Sequence, residues 1–261
     1  MRTRLTALVA VLLLGAPIGS GGASARPAAG GVTVFAAASL TDVFPALAPE
    51  NAYSFGGSNA LATQIAQGAP ADVFASANTA LPNQLYAAGV VEKPVAFTRN
   101  TLVVVVPKSN PAGIHSVYDL AREGVAVDVA APAVPVGAYT LQVLKQMGLT
   151  QKIEPNVVSQ EVDVRTVLSK VALGQADAGF VYATDARTVP GQVTVIKVPA
   201  WAQPKVTYAM AVVSKSPNRA AAQAFVRKVL SKAGQAALRR YGFLPLPKPA
   251  PTATAMLRGT A

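Results

Sequence analysis

From Val32 to about Arg240 the chain alternates short apolar runs with stretches whose apolar residues recur at the helical period. This alternation restricts the fold more than any other feature, because strands separated by helices build sheets that those helices must cover, the α/β arrangement. The runs predict strands over 32–36, 52–55, 73–75, 102–106, 125–129, 178–181, 193–198 and 207–213. Helices are predicted over roughly 39–48, 58–67, 80–88, 117–121, 137–147, 163–173 and 218–240. Two stretches interrupt the pattern: 107–113, rich in Pro, Ser, Asn and Gly, and 199–204, which carries Trp201 between prolines and is expected at a domain junction. Two lobes are therefore expected, the first from 26–107 with 205–245, the second from 108–204. The proline-rich segment 246–261 has no periodicity and is expected to be a flexible tail.

The first residues bear on location. Arg2 and Arg4 precede a short apolar run, 5–14, and Ala23-Ser24-Ala25 has the small-x-small pattern of a signal-peptidase site, so 1–25 reads as a signal peptide cut after Ala25. The run is too short for a membrane span of about 20 residues. The expected location is outside the inner membrane, and with no Cys in the chain a lipid anchor on that residue is ruled out.

Composition then removes several classes of chemistry. Zero cysteines exclude disulfides, thiol nucleophiles and Cys-ligated metals, and the single His115 excludes a multi-histidine metal site. Loss of Arg2 and Arg4 leaves 21 basic against 12 acidic residues, but the basic residues are scattered and only 6% of residues are aromatic, so no nucleic-acid partner is expected. No G-x-S-x-G, S-x-x-K or G-x-x-x-x-G-K-[ST] occurs, and His115 lies in a polar, loop-like stretch. No catalytic residue is singled out; an exported serine-dependent hydrolase stays as the enzyme alternative.

What stands out is a repeated strand-to-helix device. Ser39 follows the first strand in an N-cap context, with Asp42 in the place of a capping-box acid. Gly56-Gly57 precedes Ser58 after the second strand, and Pro135-Val136-Gly137 and Asp163-Val164-Arg165 open two later helices. Each helix start presents unpaired N–H groups and about half a positive charge, so four converging ends would offset roughly two negative charges without a cationic side chain. One such serine is ordinarily only a cap. The recurrence at successive strand ends, where open α/β sheets bind ligands, is what points to a site. Tyr182, at another strand end, reads on its own as a half-buried structural tyrosine.

At these same residues the chain resembles the molybdate-binding proteins of bacterial ABC importers, the ModA family. Val34-Phe-Ala-Ala-Ala-Ser39-Leu-Thr-Asp is similar to its opening signature, and Gln64-Ile-Ala-Gln-Gly-Ala-Pro-Ala-Asp-Val-Phe-Ala-Ser-Ala77 to its most recognisable block. Gly179-Phe-Val-Tyr182-Ala-Thr-Asp-Ala and Arg240-Tyr-Gly-Phe243 are similar to later ones, in the same order along the chain. The resemblance implies a type II periplasmic-binding-protein fold: two α/β lobes with mixed sheets, flanking helices and two hinge-crossing strands. It implies a molybdate or tungstate oxyanion held through its oxygens by Ser39 and Ser58 (hydroxyl and N–H), Val136 and Val164 (N–H) and Tyr182 (phenol). It also implies delivery to a membrane permease, a monomeric state, no organic cofactor and no catalysis. Sulfate or phosphate is the alternative ligand on the same fold. The chain departs from the family pattern at Asn59, expected to alter the local donor set, and at Val162 and Val136.

Overall fold

In the computed structural model, which describes residues 31–247, the apolar runs form ten strands in two five-stranded sheets. The first contains β1 (Thr33–Ala37), β2 (Ala52–Gly56), β3 (Val73–Ser76), β4 (Val95–Arg99) and β10 (Thr207–Val212), in the order β2-β1-β3-β10-β4. The second contains β5 (Leu102–Pro107), β6 (Val127–Ala130), β7 (Val157–Glu161), β8 (Ala178–Tyr182) and β9 (Val193–Lys197), in the order β7-β6-β8-β5-β9. The two sheets share one plan. In each, the second strand in the order is parallel to both neighbours, the fourth runs antiparallel, and an edge strand completes the sheet.

The helices are α1 (Val43–Leu47), α2 (Ser58–Ala66), α3 (Ala80–Ala87), α4 (Pro135–Gln146), α5 (Thr150–Ile153), α6 (Val164–Ala172), α7 (Ala183–Ala186), α8 (Arg219–Leu230) and α9 (Lys232–Arg240). Buried apolar faces fix their seats. β5 is buried along its whole length, as a strand covered on both faces must be. In the first sheet Phe44 packs edge-on against Phe225 with ring centroids 5.3 Å apart, pinning α1 to α8. Among the described residues no helix is long and apolar enough to cross a membrane.

The structure corrects several expectations. β4 and β7 were not predicted; both are edge strands whose sequences, Val-Ala-Phe-Thr-Arg and Val-Val-Ser-Gln-Glu, mix polar residues into the run because one side faces solvent. The single helix expected over 218–240 is two helices. Ser231, at φ −64° and ψ 163°, leaves the helical region, and its hydroxyl accepts the N–H of Gly234 at 3.1 Å to cap α9. Gly234 is needed there, since a Cβ would lie 2.3 Å from the Lys228 carbonyl oxygen. The chain leaves the first sheet after Arg99 and enters the second at Leu102, so 102–107, expected in the first lobe, pairs instead with β8 and β9. It returns between Lys197 and Thr207. Trp201 lies in this return, as expected for the junction, and is 59% exposed. The expected signal peptide 1–25 and all of the tail beyond residue 247 lie outside the described residues.

Candidate functional site

The parallel strands of both sheets end against one another, and each ends in a helix start. β1 runs into a 3-10 turn, Ala38–Leu40, in which Ser39 is buried. Ser39 is not a cap: its Oγ lies 2.8 Å from the Tyr208 hydroxyl oxygen. Nor does Asp42 complete a capping box. It occupies the N-cap position of α1 in helical conformation, makes no side-chain cap bond, and pairs with Arg165 instead.

After β2, Gly57 takes the N-cap position and Ser58 becomes the first residue of α2. The Ser58 hydroxyl accepts the N–H of Ala77 at 3.1 Å, tying the start of α2 to the end of β3. The first backbone bond of α2 runs from Leu61 N–H to the Gly57 carbonyl, so the N–H groups of Ser58, Asn59 and Ala60 have no acceptor within the helix.

The second sheet builds its half from main chain. Pro135, which has no N–H, opens α4, and the ladder starts with Ala138 N–H to the Val134 carbonyl at 2.9 Å. Val136 therefore keeps a free donor in the first turn. At α6, the Asp163 carboxylate accepts the N–H groups of Arg165 and Thr166 at 2.8 and 3.0 Å, which leaves the N–H of Val164 uncapped. Tyr182 closes β8. Contrary to the half-buried expectation it is 1% exposed, its ring edge-on to Tyr208 at 5.8 Å, and its hydroxyl has no partner among the described residues. Burial pushes its phenol well above the ordinary value, so at neutral pH it can only be the protonated, donating form.

All five predicted residues, Ser39, Ser58, Val136, Val164 and Tyr182, line one narrow space between the two sheets. Ala77, Gly57 and Asp163 complete its walls together with small and apolar residues, and no Lys, Arg or His is among them. Asn59 is not in the lining; its Oδ1 is buried without a partner among the described residues. The sheets meet closely here, because a Cβ on Gly57 would lie 2.3 Å from the carbonyl oxygen of Val162.

Sequence reading missed three contributors. Tyr208 positions Ser39 and receives a hydrogen bond from the Asn100 amide at 3.3 Å, beside the strand crossover. Ala77 acts through its N–H, which no side chain advertises. Arg165 donates from Nε to Asp185 at 2.7 Å and pairs also with Asp42. Burial raises the Asp185 carboxyl to about 6 although Arg165 opposes it. An acid–base nucleophile system is not assembled here: the two serine hydroxyls contact a phenol and an amide, and His115 is exposed and outside the lining.

The family described as bacterial extracellular solute-binding protein matches residues 32–244. The molybdate-binding protein ModA of Mycobacterium tuberculosis H37Rv is 39% identical over 255 residues, covering 91% of this chain and 96% of that protein. Two solved structures share the fold with TM-scores of 0.74. The periplasmic molybdate-binding protein of Azotobacter vinelandii is 24% identical, covering 83% of this chain and all of that one. The sulfate-binding protein SubI of M. tuberculosis H37Rv is 21% identical, covering 87% of this chain and 89% of that one. The chain belongs to the bacterial extracellular solute-binding protein family and, within it, groups with ModA.

Proposed function

We propose that this solute-binding protein captures molybdate or tungstate between its two lobes outside the inner membrane and delivers it, as a monomer, to the permease of an ABC importer. The observation that carries this reading is the donor set. Ser39, Ser58, Val136, Val164 and Tyr182 surround one small space from both sheets, and what they offer is N–H and O–H groups, without a cationic side chain. Three helix starts and the 3-10 turn add partial positive charge.

Such a site suits a small tetrahedral dianion that carries no proton near neutral pH. A ligand that must donate, as protonated phosphate does, would find too few acceptors. The one carboxylate in the lining, Asp163, is spent on the first turn of α6. Sulfate has the same charge in a smaller ion, so its rejection rests on oxygen-to-donor distances rather than on charge.

The division of donors supplies the mechanism. Ser39 and Ser58 belong to the first sheet's lobe; Val136, Val164 and Tyr182 belong to the second. An ion touching both sets binds the closed arrangement better than the open one and shifts the population toward it. The permease then meets a surface that exists only when the cleft is closed. No covalent step and no cofactor enter this cycle.

The test is calorimetry of the exported chain with molybdate, tungstate, sulfate and phosphate. Tight binding of the first two, with sulfate and phosphate weaker by on the order of 10²-fold or more, supports the reading. Equal or tighter binding of sulfate would reassign the ligand while leaving the site in place.

A further inference from the structure

Beside the proposed ion site, one side chain joins three parts of the molecule. Arg165 follows Val164 in the first turn of α6, and its own N–H is held by Asp163 at 2.8 Å. Its guanidinium donates from Nε to Asp185 Oδ1 at 2.7 Å, within its own lobe, and from Nη2 to Asp42 Oδ2, which belongs to the other lobe. Asp185 lies in α7, directly after Tyr182, and is fully buried.

The two halves of this bridge differ physically. The Asp185 side chain is 0% exposed, that of Arg165 25% and that of Asp42 43%. The buried half is permanent, because separating Arg165 from Asp185 would leave a carboxylate in the interior without a counter-charge. The outer half can open. Asp42 loses little by returning to water, and it meets Arg165 only while the lobes are together. A cavity of about 310 Å³, lined also by Arg187 and Arg240, flanks the outer pair, so salt reaches it. Asp42 is the one acid in that lining, facing three guanidinium groups.

We propose that Arg165 is the positioning residue of an interlobe latch: anchored on Asp185, it holds α6 in place and engages Asp42 only in the closed state, slowing opening and ion release. The inference rests on the reading of two lobes closing over an oxyanion. Arg165 needs no contact with the ion. Its effect is on how long the cleft stays shut, and it acts at the helix whose first N–H, that of Val164, faces the site.

The experiment uses Asp42→Asn, which removes the mobile half of the latch and leaves the buried Arg165–Asp185 pair intact. Because the chain contains no cysteine, Gln84→Cys on α3 and Lys145→Cys on α4, both exposed and in different lobes, take a fluorescent donor and acceptor cleanly. Release of molybdate is followed by the change in energy transfer after dilution. In low salt, Asp42→Asn is expected to release molybdate about 3- to 10-fold faster than the parent. Raising salt should accelerate the parent toward the variant's rate and barely move the variant, a response that a merely structural role for Asp42 would not produce. Equal release rates in low salt overturn the latch, as does a faster rate with unchanged salt dependence. If the parent binds none of the four oxyanions, the proposed function fails, and the latch is read from the ligand-free proteins. A shorter interlobe distance in the parent than in Asp42→Asn then supports it, and equal distances overturn it.

Discussion

The two lobes carry the same sheet plan and the same strand-to-helix turns, yet they furnish the site differently. After β1 and β2 the first lobe presents serine hydroxyls, and both are already engaged: Ser39 with Tyr208 and Ser58 with the Ala77 N–H. After β6 and β7, the corresponding strands of the second sheet, the donors are the main-chain N–H groups of Val136 and Val164. Its one hydroxyl, that of Tyr182, is buried with no partner among the described residues. The first lobe thus presents serine hydroxyls that already have partners within the protein. The second keeps an unpaired buried donor, a cost the protein accepts until something accepts from it.

That contrast makes Tyr182 and the serines separable. Removing any of these hydroxyls should weaken molybdate binding by about 1.5–3 kcal/mol, the range for hydrogen bonds to charged groups. The stability of the ligand-free protein should tell them apart in denaturant titrations. Ser39→Ala should lose roughly 1 kcal/mol, since it strips Tyr208 of a partner, while Tyr182→Phe should lose none or gain, since it deletes an unsatisfied group. A Tyr182→Phe protein less stable than Ser39→Ala would erase the distinction between the lobes.

Gly57 has φ −62°, which alanine adopts without strain, but its Cβ would strike the Val162 carbonyl oxygen of the other lobe. Gly57→Ala should therefore leave the ligand-free melting temperature nearly unchanged and weaken binding by roughly 1–3 kcal/mol, the scale of overpacking. Calorimetry and a thermal melt on the same sample decide it.

A smaller effect separates the central strands. Past Thr33, β1 is apolar, whereas β6 carries Asp128, buried and without a hydrogen-bond partner among the described residues. Burial and the neighbouring Glu161 carboxylate raise Asp128 to about 7 from 3.8. An acid raised in the folded state stays protonated there while the unfolded chain ionises, so its contribution to stability falls from about pH 4 to about pH 7 and is lowest above that. Asp128→Asn should stabilise the protein on the order of 1 kcal/mol at pH 8 and have little effect at pH 4. Denaturant midpoints at the two pH values test this. Smallest of all, Val136→Ala and Val164→Ala should change affinity by less than about 0.5 kcal/mol, because a main-chain donor survives the loss of a side chain.

How much the sequence disclosed follows the same division. The buried strands β1, β3, β5 and β8 were legible because burial on both faces demands unbroken apolar runs, while of the four edge strands β2 and β9 were predicted and β4 and β7 were not. Ser39 and Ser58 were visible as hydroxyl residues at helix starts, although their side chains do not cap those helices. Val136 and Val164 were visible only as positions, and Tyr182 required the family resemblance, because a strand-end tyrosine carries no mark of an unpaired hydroxyl. Tyr208, Ala77 and Asp42–Arg165 were out of reach, being contacts between elements 19 to 169 residues apart that only the assembled sheets create.

The central claim is that both lobes donate to one ion. Its most direct test is a crystal structure of the protein grown with molybdate. Molybdate oxygens are expected within about 2.7–3.2 Å of the Ser39, Ser58 and Tyr182 hydroxyls and the Val136 and Val164 nitrogens. An ion seated on the donors of one lobe alone, or in the neighbouring cavity against Arg187 and Arg240, would contradict it.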